Sequence, residues 1–213
     1  LEIYYYRAPD GTVHFSRTPD PATKYVETRN EFGIREAEWY LCSRDTLAPC
    51  IMEPYEYEIE EGYSELMTSL VVPLLKDGEF AGVAGVDINL STLQDTIARV
   101  SRDLFDGQSR VTLLSAKGLI AASSQYSDKL GRPLAEALPE LASELVELHR
   151  NGGRYDDGKT LAVSYPVEIG QANTQWSLLI ELPREAALAS VGEITGLVSE
   201  EIAANWPSIP TPN

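Results

Sequence analysis

The stretch VVPLLKDGEFAGVAGVDINLSTLQDTI, residues 71–97, decides the fold. Valines and leucines open a strand, and Asp77-Gly78 gives the two-residue signal of a hairpin. A second strand of Ala, Val and Gly runs to Ile88, with one carboxylate, Asp87, near its end. INLSTLQDTIARV then reads as a helix, with Ser91 as the expected N-cap and Leu93, Ile97 and Val100 on one face. Gly82 and Gly85 forgo side-chain packing, which marks a place of close approach. Asp87 has two readings on these grounds alone. It caps the helix or the turn that follows, or it faces something bound.

Upstream, IYYY and TVHF flank Asp10-Gly11 as a further hairpin, and the Pro19–Pro21 segment breaks the pattern. NEFGIREAEWYLCS, residues 30–43, is expected to be helical at least in part, with Phe32 and Trp39 on its apolar face. Strands are expected at 55–59 and 66–75.

Downstream of LFDGQS the layout repeats. Strands are expected at 110–115 and 119–124, an amphipathic helix in LAEALPELASELVELHRNGG, and long strands in KTLAVSYPVEI and TQWSLLIELP. A final helix is read from Arg184 to Trp206, with Leu188, Val191, Ile194 and Val198 at helical spacing. VSYPVEIGQANTQWSLLIELPREAAL thus mirrors residues 71–97: strand with an internal proline, turn, strand, helix. The fold class is α+β, with two similar modules, each an antiparallel sheet flanked by helices. The expected division is 1–100, 101–185 and a C-terminal helix over 186–213.

The chain has 213 residues and a formal net charge of -16. That charge argues against nucleic-acid binding, which needs clustered Lys and Arg, and against docking on anionic lipid. No apolar run approaches the ~20 residues that span a bilayer. The chain opens on LEIYYYRAPDG without a signal peptide's basic start or apolar run, and is read as a fragment. His14 and His149 lie far apart, so neither a zinc site nor another cofactor is expected. Cys42 and Cys50 are a bridge in an oxidising compartment or two separate buried residues; spacing leaves both open. No GxSxG, phosphate loop or Cys/His pair suggests an enzyme, and carboxylate pairs such as Glu60-Glu61 and Asp156-Asp157 read as solvated faces.

The phrase VVPLLKDGEFAGVAGVDINLSTLQDTI resembles the double Cache sensor domains of bacterial chemoreceptors and sensor histidine kinases. The resemblance implies two PAS-like modules stacked on a long N-terminal helix, which has no counterpart in this sequence. It further implies an extracytoplasmic position, a small-molecule ligand in the first, membrane-distal module, a homodimeric full-length receptor and membrane attachment outside this chain. In amino-acid-binding members an Arg precedes a Trp-Tyr pair by two residues; then come Pro-Tyr, an Asp two residues further on, and the Asp of GVxGxD. Trp39-Tyr40, Pro54-Tyr55 and Asp87 match that pattern. Ala37 stands at the Arg position, Tyr57 at the second acid, and Phe32 at an upstream aromatic-hydroxyl position. Arg35 is near in sequence, but on a helix it would point elsewhere.

The resemblance therefore implies a ligand set of Trp39, Tyr40, Tyr55, Tyr57 and Asp87. Rings beside a carboxylate suit an ammonium group. Without the Arg that would clamp a carboxylate, the balance moves from amino acids towards amines. Trp39 and Tyr40 also fit an ordinary core, and Tyr55 and Tyr57 a half-buried strand. A structural or partner-binding module without a small-molecule ligand is the alternative function.

Overall fold

The computed structural model describes residues 3–8, 10–17, 20–60, 62–139, 142–172 and 174–189. The chain forms two compact units, one of residues up to 53 with 68–88 and 169–174, the other of 54–67, 89–168 and 175 onward.

In the first unit, β1 (Ile3–Arg7) and β2 (Val13–Arg17) form an antiparallel hairpin, its turn held by the Asp10 carboxylate accepting from the Thr12 amide and hydroxyl. Residues 30–37, expected to be helical, are not. The Asn30 side chain accepts the amides of Phe32 and Ile34, each at 3.0 Å, and Gly33 sits at φ 71°. These local bonds compete with a helix, and α1 runs only over Glu38–Thr46. It ends at Leu47, in the left-handed conformation. A Cys42–Cys50 disulfide then ties the helix to β3 (Cys50–Ile51).

Strand β5 (Tyr63–Lys76) contributes residues to both units. In the first, β3 pairs with it through Cys50↔Val71 and Ile51↔Leu70, and the Thr68 hydroxyl donates to the Met52 carbonyl. β6 (Glu79–Asn89) also pairs with β5. Asp77 and Gly78 between them both have positive φ, as the type I′ turn requires. Gly85 shows why the strand is thin: a Cβ there would lie 2.7 Å from Val71 Cγ1 and 3.0 Å from the Leu70 carbonyl. The close approach read from the sequence is by the neighbouring strand. At Gly82 a Cβ would meet nothing within 4 Å.

In the second unit, β4 (Tyr55–Glu60) pairs with Tyr63–Met67 of β5. Five strands form the main sheet: β7 (Arg110–Leu114), β8 (Ile120–Ser123), β9 (Gly153–Asp156), β10 (Thr160–Val167) and β11 (Trp176–Pro183). Their order is β8-β7-β11-β10-β9, every pair antiparallel. Side chains alternate between its faces. On one face Val111, Ala122, Leu178 and Ile180 pack with Ile97 and Val100 of α2 (Leu90–Asp103). On the other, Leu114, Ile120, Ala162 and Leu179 pack with Leu134, Leu145 and Leu148. Those last three come from α3 (Leu134–Ala137) and α4 (Ala142–Asn151). One helix was expected over residues 134–153. Pro139 lacks the amide to continue it, and two helices form.

Strand β9 was not foreseen, because GRYD is short and mostly exposed. The cap of α2 also differs. Asn89 is the N-cap, its side chain accepting from the Ser91 amide at 2.9 Å, and Ser91 lies inside the helix. A helix begins at Arg184; the expected positions Val191, Ile194 and Val198 lie outside the described residues.

Candidate ligand-binding site

Trp39 and Tyr40 lie in the first turn of α1, both half-buried. Their rings meet edge to face, with centroids 5.7 Å apart. Tyr40 anchors a larger aromatic set in the first unit. Tyr25 packs on it at 5.5 Å and 89°, and Phe80 of β6 at 5.3 Å and 81°. T-shaped pairs of this kind add stabilisation beyond area burial. Burial, reinforced by Tyr25, raises the pKa of the Tyr40 hydroxyl.

This set already holds a cation. The Lys24 ammonium lies 5.4 Å from the ring centroids of both Tyr25 and Tyr40, within cation–π range. Lys24 and Tyr25 were missed in the sequence, where the Pro19–Pro21 segment read only as a break. The adjacent cation and ring in TKY were the available signal.

The Ala37 position cannot supply a guanidinium, and Ala37 is 1% exposed at the head of α1. Nor does Arg35 substitute. Its guanidinium is engaged at both ends, with Glu38 at 2.6 and 3.0 Å and with Asp45 at 2.7 Å. These two carboxylates, the Glu38 bond first, raise its pKa further. Arg35 therefore fastens α1, and its charge is already matched by two acids.

Asp87 is exposed on β6. Its Oδ1 accepts a 2.5 Å hydrogen bond from the Ser69 hydroxyl. With Asn89 as the helix cap, the capping reading of Asp87 falls. Asp87 faces Ser69 just as Gly85, two residues earlier, faces Val71, so both contacts lie on one side of the hairpin.

Trp39, Tyr40 and Asp87 thus belong to the first unit. Tyr55 and Tyr57 belong to β4 of the second, where they pair with Met67 and Glu65. Tyr55 is half-buried and Tyr57 is 42% exposed.

Residues 3–95 match the family described as the first PDC sensor domain of methyl-accepting chemotaxis protein-like receptors. The methyl-accepting chemotaxis protein TlpQ of Pseudomonas aeruginosa is 38% identical over 158 residues, which are 73% of this chain and 22% of that protein. The chain spans about a quarter of the length of the curated relatives it matches. Among solved structures, the extracellular domain of a candidate histidine kinase, mmHK1S-Z3, superposes with a TM-score of 0.65 at 24% identity, covering 90% of this chain and 64% of that one. The ligand-binding domain of the Pseudomonas aeruginosa amino-acid chemoreceptor PctC, in complex with GABA, gives 0.55 at 24% identity, covering 84% and 72%. These likenesses carry the fold. Together with the two α+β units and the family match, they make the chain a double Cache sensor domain of the kind borne by bacterial chemoreceptors and sensor histidine kinases.

Proposed function

We propose that this sensor domain binds a small amine-bearing metabolite through Trp39, Tyr40 and Asp87. The observation that carries the proposal is Lys24: an ammonium group already lies over the rings of Tyr25 and Tyr40. The same rings suit a ligand ammonium; Asp87, seven residues along β6 from the Phe80 that packs on Tyr40, offers a carboxylate that can accept from an ammonium group. The residues at the carboxylate-clamp end point the same way. Ala37 is apolar, and Arg35 is matched by Glu38 and Asp45. Ala37 has no guanidinium and that of Arg35 is taken up by two acids, so amines are favoured over amino acids. Tyr55 and Tyr57 are left out of this group because they belong to the other unit.

In the whole receptor the domain stands outside the cytoplasm, as a homodimer, with membrane anchors and output domains elsewhere in the protein. Ligand binding shifts a population between two arrangements, passed on through the helix that begins at Arg184.

Lys24 also supports the alternative, a partner-binding module whose rings are satisfied internally. Thermal shift separates the two. The amine reading predicts that 1,5-diaminopentane raises the melting temperature of the wild-type chain and leaves that of Asp87→Asn unchanged. The alternative predicts no shift with any amine or amino acid.

A further inference from the structure

The second unit carries an unassigned polar cluster, on the sheet face covered by α3 and α4. Leu179 and Ala162 pack there with Leu145 and Leu148. Glu181 and Ser164, each two residues further along β11 and β10, therefore point to the same side. The register sets Ala162 opposite Glu181 and Ser164 opposite Leu179. Ser164 and Glu181 are thus diagonal neighbours, about 7–8 Å apart. Both are deeply buried, at 3% and 4% exposure.

Glu181 also meets Arg110, its cross-strand partner on β7, and the Tyr126 hydroxyl. Even so, Glu181 Oε2 and Ser164 Oγ have no hydrogen-bond partner among the described residues. Leaving two buried polar atoms unsatisfied on one face costs stability. Burial holds the Glu181 carboxyl above its ordinary range and pushes the Tyr126 hydroxyl up to about 12. A donor arriving at Oε2 would satisfy the first of these groups.

We propose that this face is a second ligand site, taking a small ammonium compound with a second polar group two or three atoms away. The ammonium donates to Glu181 Oε2, and the second group pairs with Ser164 Oγ. Glu181 lies two residues before Pro183, and the helix begins at the next residue, Arg184. A ligand here acts on the strand that feeds that helix. The proposal is independent of the Asp87 reading.

The probe is ethanolamine, titrated calorimetrically into the wild-type chain, Asp87→Asn, Glu181→Gln and Ser164→Ala. The expected result is saturable binding to wild type and to Asp87→Asn. Affinity should fall about tenfold or more in Glu181→Gln and several-fold in Ser164→Ala. No saturable binding to wild type overturns the proposal, as does binding lost in Asp87→Asn and kept in Glu181→Gln. If Glu181→Gln fails to fold, Ser164→Ala decides together with a crystal grown in ethanolamine. Density for the probe between Oε2 and Oγ supports the site, and a bridging water alone overturns it.

Discussion

At the residue scale, Asp87 is the clearest test position, because its two jobs can be separated. Asn keeps an oxygen for the Ser69 hydroxyl but removes the charge. Asp87→Asn should therefore unfold within about 1 kcal/mol of wild type, while losing about tenfold or more in amine affinity. Urea unfolding and calorimetry read the two effects. Lys24 gives a prediction of opposite sign. If its ammonium competes for the faces of Tyr25 and Tyr40, Lys24→Met should tighten amine binding several-fold, since an exposed cation–π contact is worth roughly 0.5–1 kcal/mol. Unchanged affinity would mean that the ligand does not use those faces. Gly85 tests the packing itself. The alanine methyl would press on Val71 and the Leu70 carbonyl, so Gly85→Ala should cost about 1–3 kcal/mol in urea unfolding.

At the scale of elements, the hairpin of β5 and β6 was legible because Asp77-Gly78 has one good use, a turn with two positive φ values. The start of α2 was less so. Asn89 and Ser91 are both good caps, and only the observed bond from the Ser91 amide to the Asn89 side chain chooses between them. Asn89→Ala should accordingly cost about 1 kcal/mol by thermal or urea unfolding, and Ser91→Ala much less. The region before α1 misled for a related reason. Its apolar spacing suits a helix, but Asn30 binds two amides locally and Gly33 takes a positive φ. Periodicity does not register such side-chain competition. Lys24 left only a local trace: TKY sets a cation beside a ring, but nothing in one sequence says that it lies against Tyr40, sixteen residues after Lys24. The Cys42–Cys50 bridge was left open by its spacing and is formed. It closes a short loop, so reduction should destabilise the chain by about 2–3 kcal/mol, measured by urea unfolding with and without reductant.

At the scale of the whole molecule, the repeated strand–turn–strand–helix layout and the phrase around GVAGVDIN were enough for the fold class, as the sheets and the relatives show. The ligand is harder to read, because it depends on where individual charges are spent. His149 illustrates this, and it contributes to the pH response. Its Nε2 lies 3.3 Å from the Ala116 carbonyl, which can only accept, so that nitrogen carries the proton. In the neutral ring Nδ1 then accepts from the Ser177 hydroxyl, 2.5 Å away. Burial lowers its pKa from 6.5. The unfolded chain therefore binds the proton first as pH falls, and this residue's contribution to stability declines from about pH 6.5 down to the folded value. Melting temperatures across that window should fall with acidification, and less steeply in His149→Gln.

The central claim is that the first unit recognises an ammonium group without needing a carboxylate. Calorimetric titration of the wild-type chain with matched pairs tests it directly: 1,5-diaminopentane against lysine, and ethylamine against alanine. The account predicts that in each pair the amine binds more tightly than the amino acid made from it by adding a carboxylate, and that Asp87→Asn removes the binding. Tighter binding of the amino acids, or amine binding that survives Asp87→Asn unchanged, would contradict it.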